Sequence, residues 1–297
     1  MQGHARKLAM AVIICGLTIC VLDSTMLSLA LPQMARQWGI GPEQTLWVVN
    51  ANQIASLVLL LPLAALGDRL GYKRVYLWGM LVFGVASVLA MLAPSLPWLI
   101  AARALQGMGM AGALCVNGAL VRQIYPRAML GQGMALNSMV VALSYVMGPV
   151  LAAAVLSQLQ WRWLFSLHLP LALWVCWLGI KALPSPQQAL GSKGLSWWDV
   201  ALNVAMFGAL FMALDRLSHY QSGQSLWPIA LWAALGLAAG YLYVQRQKHQ
   251  SQPMLPLDLL RIPVFRLSMG ASICAFSAQT MAFLALPFLL MEARGLG

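Results

Sequence analysis

Charge is what this chain has least of. Only 8% of its 297 residues are charged and 7 are acidic, against 61% hydrophobic residues and a mean hydropathy of +0.77. Soluble domains carry about 25% charged residues, so a soluble globular fold is excluded. Cysteine is scarce too. Cys15, Cys20, Cys115, Cys176 and Cys274 all fall in apolar runs without CxxC spacing, which points to neither a disulfide framework nor a metal site. The absence of a GxxxxGK[ST] loop argues against an ATP-driven pump. The first apolar run lacks a small-residue cleavage site and is expected to stay as a helix rather than leave as a signal peptide.

What the chain does have is long apolar runs. They cover 9–31, 46–66, 75–93, 97–120, 132–157, 163–183, 198–217, 226–245 and 265–291. Each is near the ~20 residues a helix needs to cross the hydrocarbon core of a lipid bilayer. Unbroken runs, rather than ten-residue alternation, favour helices over a barrel. The fold class is therefore all-α, a polytopic helical membrane protein with about nine transmembrane helices. With the amino terminus inside, the connections on that side hold 13 of the 18 Lys and Arg residues, which marks it as cytoplasmic. The net charge of +11 follows from that topology. Its basic residues are scattered, not gathered into the stripe that nucleic acid requires, so no nucleic-acid partner is expected.

The polar positions inside these runs are the candidates for chemistry. A carboxylate within a span costs a few kcal/mol, so Asp23 is expected to face a cavity or a partner. The alternative is an acid at the outer interface, because Pro32 lies only nine residues on. Arg103 cannot shed its proton and must be paired or wet. Gly107, Gly109 and Gly112 spell GxGxxG, but no strand precedes them. Close helix approach explains them better than a nucleotide site. Asn50 and Asn52 open the second run and are suited to bonds across helices or to a ligand. Gly148-Pro149 breaks a backbone bond and makes a hinge. Met26 and Tyr145 suit a soft, cation-accepting wall. The short segment bearing Gly67, Asp68, Arg69, Gly71, Lys73 and Arg74 reads as a tight cytoplasmic turn of about eight residues.

These motifs carry a resemblance. Pro62-Leu-Ala-Ala-Leu-Gly-Asp-Arg-Leu-Gly-Tyr-Lys-Arg74 resembles the loop between helices 2 and 3 of the major facilitator superfamily, with Ala64 where the first glycine is usual. Leu22-Asp-Ser-Thr-Met-Leu-Ser-Leu-Ala-Leu-Pro32 resembles the opening motif of its drug/proton antiporters with fourteen helices. Leu99-Ile-Ala-Ala-Arg-Ala-Leu-Gln-Gly-Met-Gly109 resembles the helix-4 motif whose arginine is linked to proton transfer. Ser144-Tyr-Val-Met-Gly-Pro-Val-Leu-Ala-Ala153 resembles the antiporter hinge, with Ser144, Ala152 and Ala153 in place of glycines. Trp161-Arg-Trp-Leu-Phe165 is also similar to the family, and its tryptophans are expected at the outer interface.

The resemblance implies a carrier rather than an enzyme. It would sit in the inner membrane and export lipophilic or quaternary ammonium cations in exchange for protons, with the proton as coupling ion and no other cofactor. Asp23 would be the shared proton and cation site, tuned by Arg103. Asp68 and the basic residues of the 2–3 turn would latch the cytoplasmic side by ion pairs. Asn50 and Asn52 stand where several multidrug members have an acid and a tyrosine. A neutral or anionic metabolite is the alternative cargo. The implied organisation is an amino-terminal six-helix bundle over 1–183, a linker over 184–197, two inserted helices over 198–245, a connection over 246–264 and the first helix of a second bundle over 265–297. A missing carboxy-terminal half is expected as partner, and the chain alone would then be an inactive or assembly-dependent component.

Overall fold

A computed structural model describes residues 3–184, 196–218, 220, 225–248, 259 and 261–293. All regular structure among them is helical. In chain order the helices are α1 (Gly3–Trp38), α2 (Pro42–Leu70), α3 (Tyr72–Met91), α4 (Leu96–Ile124), α5 (Leu130–Leu156), α6 (Arg162–Ser166), α7 (His168–Ala182), α8 (Trp197–Ser218), α9 (Trp227–Lys248) and α10 (Pro263–Ala293). α6 and α7 together make one span, so Gly3–Lys248 holds 8 helical segments long and apolar enough to cross a membrane. With its 31 residues, α10 has the length for a ninth. The chain divides into two compact units, Met1–Gln250 and Ser251–Gly297. Most of the expected linker over 184–197, and residues 249–258 and 260 of the expected connection over 246–264, lie outside the described residues.

Within the first unit α4 is central, packed against α2 on one side and α3 on the other. α1 lies against α5 and α7, and α3 against α7. Two apolar clusters fill the interior. One joins Ile19 and Cys20 of α1, Phe83 of α3, Met110 of α4 and Ala172 of α7. The other joins Met26 and Leu27 of α1, Ala90 of α3, Ala102 of α4 and Phe165 of α6. Between them, α1, α3, α4 and α7 contribute the buried polar residues Asp23, Ser87, Arg103, Gln106 and His168. Trp161, expected at the outer interface, is fully buried within the protein. Its Nε1 donates to Gln37 Oε1 at 2.6 Å and its ring packs edge-on against Trp38, while Trp163 stays exposed. The physical reason is that an indole whose N–H finds a partner is stabilised by burying its large apolar ring.

The expected eight-residue turn is shorter still. α2 continues to Leu70 and α3 begins at Tyr72, leaving Gly71 as the only non-helical residue. Its φ of 93° is open to glycine and strained for other residues. Asp68 and Arg69 thus end one helix, while Lys73 and Arg74 start the next.

The α8–α9 hairpin docks on α2 at a defined defect. Pro62 lies inside α2 and has no N–H for the Val58 carbonyl one turn earlier. Asn203 of α8 supplies the missing donor, its Nδ2 lying 2.6 Å from the Val58 oxygen. Within the hairpin, Arg246 Nε donates to Asp199 Oδ1 at 2.9 Å. Asn203→Leu is expected to destabilise the protein by about 1 kcal/mol. In a Pro62→Ala background Val58 regains a backbone donor, and the same substitution should cost nearly nothing. Unfolding in mild detergent measures the cycle; an equal cost in both backgrounds would separate Asn203 from the proline defect.

Candidate functional site

The polar layer is built around one ion pair. Arg103 Nη1 lies 2.8 Å from Asp23 Oδ2 and 2.9 Å from Oδ1, with both residues about 1–2% exposed. The same nitrogen donates to Gln106 Oε1, one turn further along α4. Arg103 Nε donates to the Val48 carbonyl of α2 at 3.1 Å. Gln106 Nε2 donates to Asp23 Oδ1 and to Ser87 Oγ of α3, each at 3.0 Å. Ser87 in turn donates to the Phe83 carbonyl at 2.8 Å. From α7, His168 Nδ1 stands 3.7 Å from Asp23 Oδ1. Five helices are thus linked, directly or through Arg103 and Gln106, to one carboxylate.

Glycines make this convergence possible. A Cβ on Gly107 would overlap the Asn52 backbone carbonyl, so only glycine lets α4 lie against α2 where Arg103 reaches Val48. On the next face of α4, a Cβ on Gly109 would lie 2.6 Å from the Gly79 carbonyl oxygen of α3. The GxGxxG stripe thus packs helices on two sides. Gly148 plays the same part on α5, where an added Cβ would strike the side chain of Thr25, two residues from Asp23. The Gly148-Pro149 break therefore bears directly on the segment that carries the carboxylate.

The structure brings some of the expected site residues together and leaves others apart. Asp23 and Arg103 are bonded, which removes the interfacial reading of Asp23. Asn52 is buried and donates to the Arg103 carbonyl at 3.4 Å, whereas Asn50 is half-buried on the same helix. Met26, expected as a cavity wall, is buried at 2% exposure in the apolar cluster that also holds Val48, Ala102 and Phe165 of other helices. Tyr145 is half-buried, three residues before Gly148. At the α2–α3 turn, Gly67 lies close against Val116, and Asp68 accepts from the Tyr72 hydroxyl at 2.6 Å rather than from a basic residue. Lys73 Nζ donates to the Ile180 and Leu183 carbonyls at 2.7 and 2.9 Å, a cation at the negative end of α7. Arg69 is half-buried and Arg74 lines an apolar groove of α2, α3 and α4. The expected ion-pair latch is therefore a set of helix-end contacts among the described residues.

Gln106, Ser87 and His168 were not anticipated as site residues. Each carries a signal, a polar side chain in an otherwise apolar span. That signal names a residue but no partner.

A buried charge pair inside a bundle of membrane-length helices marks a functional position, because such charges are costly there. The chain belongs to the Major Facilitator Superfamily, whose family profile matches residues 13–297. It is 40% identical over 97% of its length to the uncharacterized transporter YebQ of Escherichia coli K12, covering 62% of that protein. It is 28% identical to the multidrug efflux pump LfrA of Mycolicibacterium smegmatis over 89% of this chain and 52% of that one. It is 25% identical to the riboflavin transporter RibZ of Clostridioides difficile over 98% and 62%. Among solved structures, the peptide transporter POT superposes with a TM-score of 0.59 at 13% identity, covering 84% of this chain and 54% of that one. The human organic anion transporter MFSD10 superposes with a TM-score of 0.53 at 19% identity, covering 80% and 61%; at such identities the likeness is one of fold. The chain is thus a multi-pass membrane protein of a transporter family and no enzyme, spanning less than two thirds of the curated relatives named here.

Removing one partner of a buried pair leaves an uncompensated charge and costs about 3–5 kcal/mol. Arg103→Met and Asp23→Leu alone should each destabilise the protein by that order, and the double variant should recover most of the loss. Unfolding in mild detergent reads the cycle, and strictly additive losses would show that the two groups do not stabilise each other.

Proposed function

We propose that this chain is the amino-terminal part of a proton-coupled exporter of lipophilic or quaternary ammonium cations, of the drug/proton antiporter type with fourteen helices. The observation that carries the reading is the Asp23 carboxylate, buried within the bundle and held by Arg103 at 2.8 Å. A proton and an organic cation each neutralise such a carboxylate, so they compete for it, and one leaves as the other arrives. One proton moving down about 100 mV releases roughly 2.3 kcal/mol, and one pH unit adds about 1.4 kcal/mol. These sums suffice to drive a concentration gradient. Motion at Gly148-Pro149 would pass to α1 through the Thr25 contact and so alter access to Asp23.

In this reading the chain lies in the inner membrane with its amino terminus and Gly71 turn on the cytoplasmic side, where the basic residues concentrate. α1 to α7 form the first bundle, α8 and α9 are an inserted pair, and α10 opens a second bundle whose remaining helices would complete the carrier. A metabolite carrier is favoured by a different observation: both Asp23 oxygens are already taken by Arg103, and one also accepts from Gln106. There Asp23 would hold protons only, and the cargo would be neutral or anionic, as for the relative named as a riboflavin transporter.

Ethidium efflux from cells expressing the 297-residue chain, with and without a protonophore, tests the first reading. Protonophore-sensitive efflux should be lost in Asp23→Asn at equal membrane abundance. Efflux that survives the substitution would overturn the role of Asp23. No efflux from the correctly inserted chain would rule out export by these helices alone, and proton-driven flux without competition by cationic dyes would favour the metabolite carrier.

A further inference from the structure

His168 is the one buried titratable group in the polar layer that the exchange reading leaves unused. It is 3% exposed, and neither ring nitrogen has a hydrogen-bond partner among the described residues. Its ring meets Phe83 of α3 at 5.7 Å and Phe165 of α6 at 6.5 Å, both edge-on. The charged groups that act on it are Asp23 from α1 and Arg103 from α4. A histidine kept only for packing would satisfy at least one nitrogen, because a buried unpaired donor or acceptor costs about 1–3 kcal/mol. Here Nδ1 instead faces a carboxylate oxygen 3.7 Å away, too far for a hydrogen bond and near enough to form one after a small ring or helix movement.

We propose that His168 is the proton-accepting group of this site and the alternate partner of Asp23. The proposal rests on the proton-exchange reading and names the atom that first receives the proton bound for Asp23. While Arg103 holds both oxygens of Asp23, those bonds must loosen before the carboxylate can take another partner. The nitrogen that faces the carboxylate is the one suited to carry hydrogen, which leaves the Nε2 lone pair as the acceptor. A hydronium ion that reaches the ring when the bundle opens would give up its proton to Nε2; the N–H bond forms as the O–H bond breaks, and neutral water departs. The resulting imidazolium competes with Arg103 for Asp23. When Asp23 turns to His168, Arg103 keeps its bonds to Gln106 and the Val48 carbonyl on the α2–α4 side. Proton uptake thus exchanges a bond between α1 and α4 for one between α1 and α7, giving a conformational step a chemical cause.

The test is ¹⁵N NMR of histidine-labelled chain in lipid nanodiscs. The chain has 4 histidines, and the signal that vanishes in His168→Gln belongs to His168. Its ring nitrogens should pass from the neutral to the imidazolium pattern as the pH is lowered from about 8 to about 4. At a fixed pH within that range, Asp23→Asn should lower its imidazolium fraction several-fold, because the carboxylate favours the charged ring. A ring that stays neutral throughout, or a titration that Asp23→Asn leaves unchanged, would overturn the proposal. The spectrum needs no flux: intact titration with no ethidium exchange would support His168 as the base and count against cation export alone.

Discussion

The buried pair of Asp23 and Arg103 is the constraint on which the rest of the bundle depends. Two full charges in a low-dielectric interior are tolerated only if their geometry is good and their remaining donors and acceptors are met. Arg103 meets this through two carboxylate oxygens, Gln106 and a backbone carbonyl, and these come from α1, α4 and α2. Each of those helices must therefore keep its depth and rotation. The apolar clusters above and below supply contact area, but similar side chains in many registers would do that equally well. A charged pair accepts few.

Close approach is the second requirement, and it has a specific sequence basis. Lipid tails are as apolar as leucine, so helices in a bilayer are not driven together by burial from water and depend more on tight packing and interhelical bonds. Gly107, Gly109 and Gly148 lie where neighbouring backbone or side-chain atoms occupy the space of a Cβ. The glycines beside the charged motif residues are what allow those residues to reach their partners. The hydrogen-bonding group and the small residue act as one device.

Proline in a span frees a carbonyl that lipid cannot satisfy. At Pro62 the deficit is met by Asn203 of α8, so a local defect in one helix becomes an attachment point for the hairpin. Tertiary partners are thus chosen by unmet backbone groups as well as by complementary charge.

By itself the sequence determined the class of the fold, the positions of the spans and the two charges, Asp23 and Arg103, that lie within them. These follow from local quantities: the length of an apolar run, the cost of a charge within it and the spacing of Asp23 and Arg103 in their motifs. Gly71 as a turn was legible for the same reason, though the turn proved to be a single residue because helical hydrogen bonding continued through Asp68 and Arg69. Only the tertiary structure decided that Asp23 meets Arg103, that Gln106, Ser87 and His168 join them, that Trp161 is buried and that Met26 packs in the core. Those outcomes depend on the rotation of each helix about its axis. Spans that are apolar on nearly every face leave that rotation open until interhelical bonds and glycine contacts choose it.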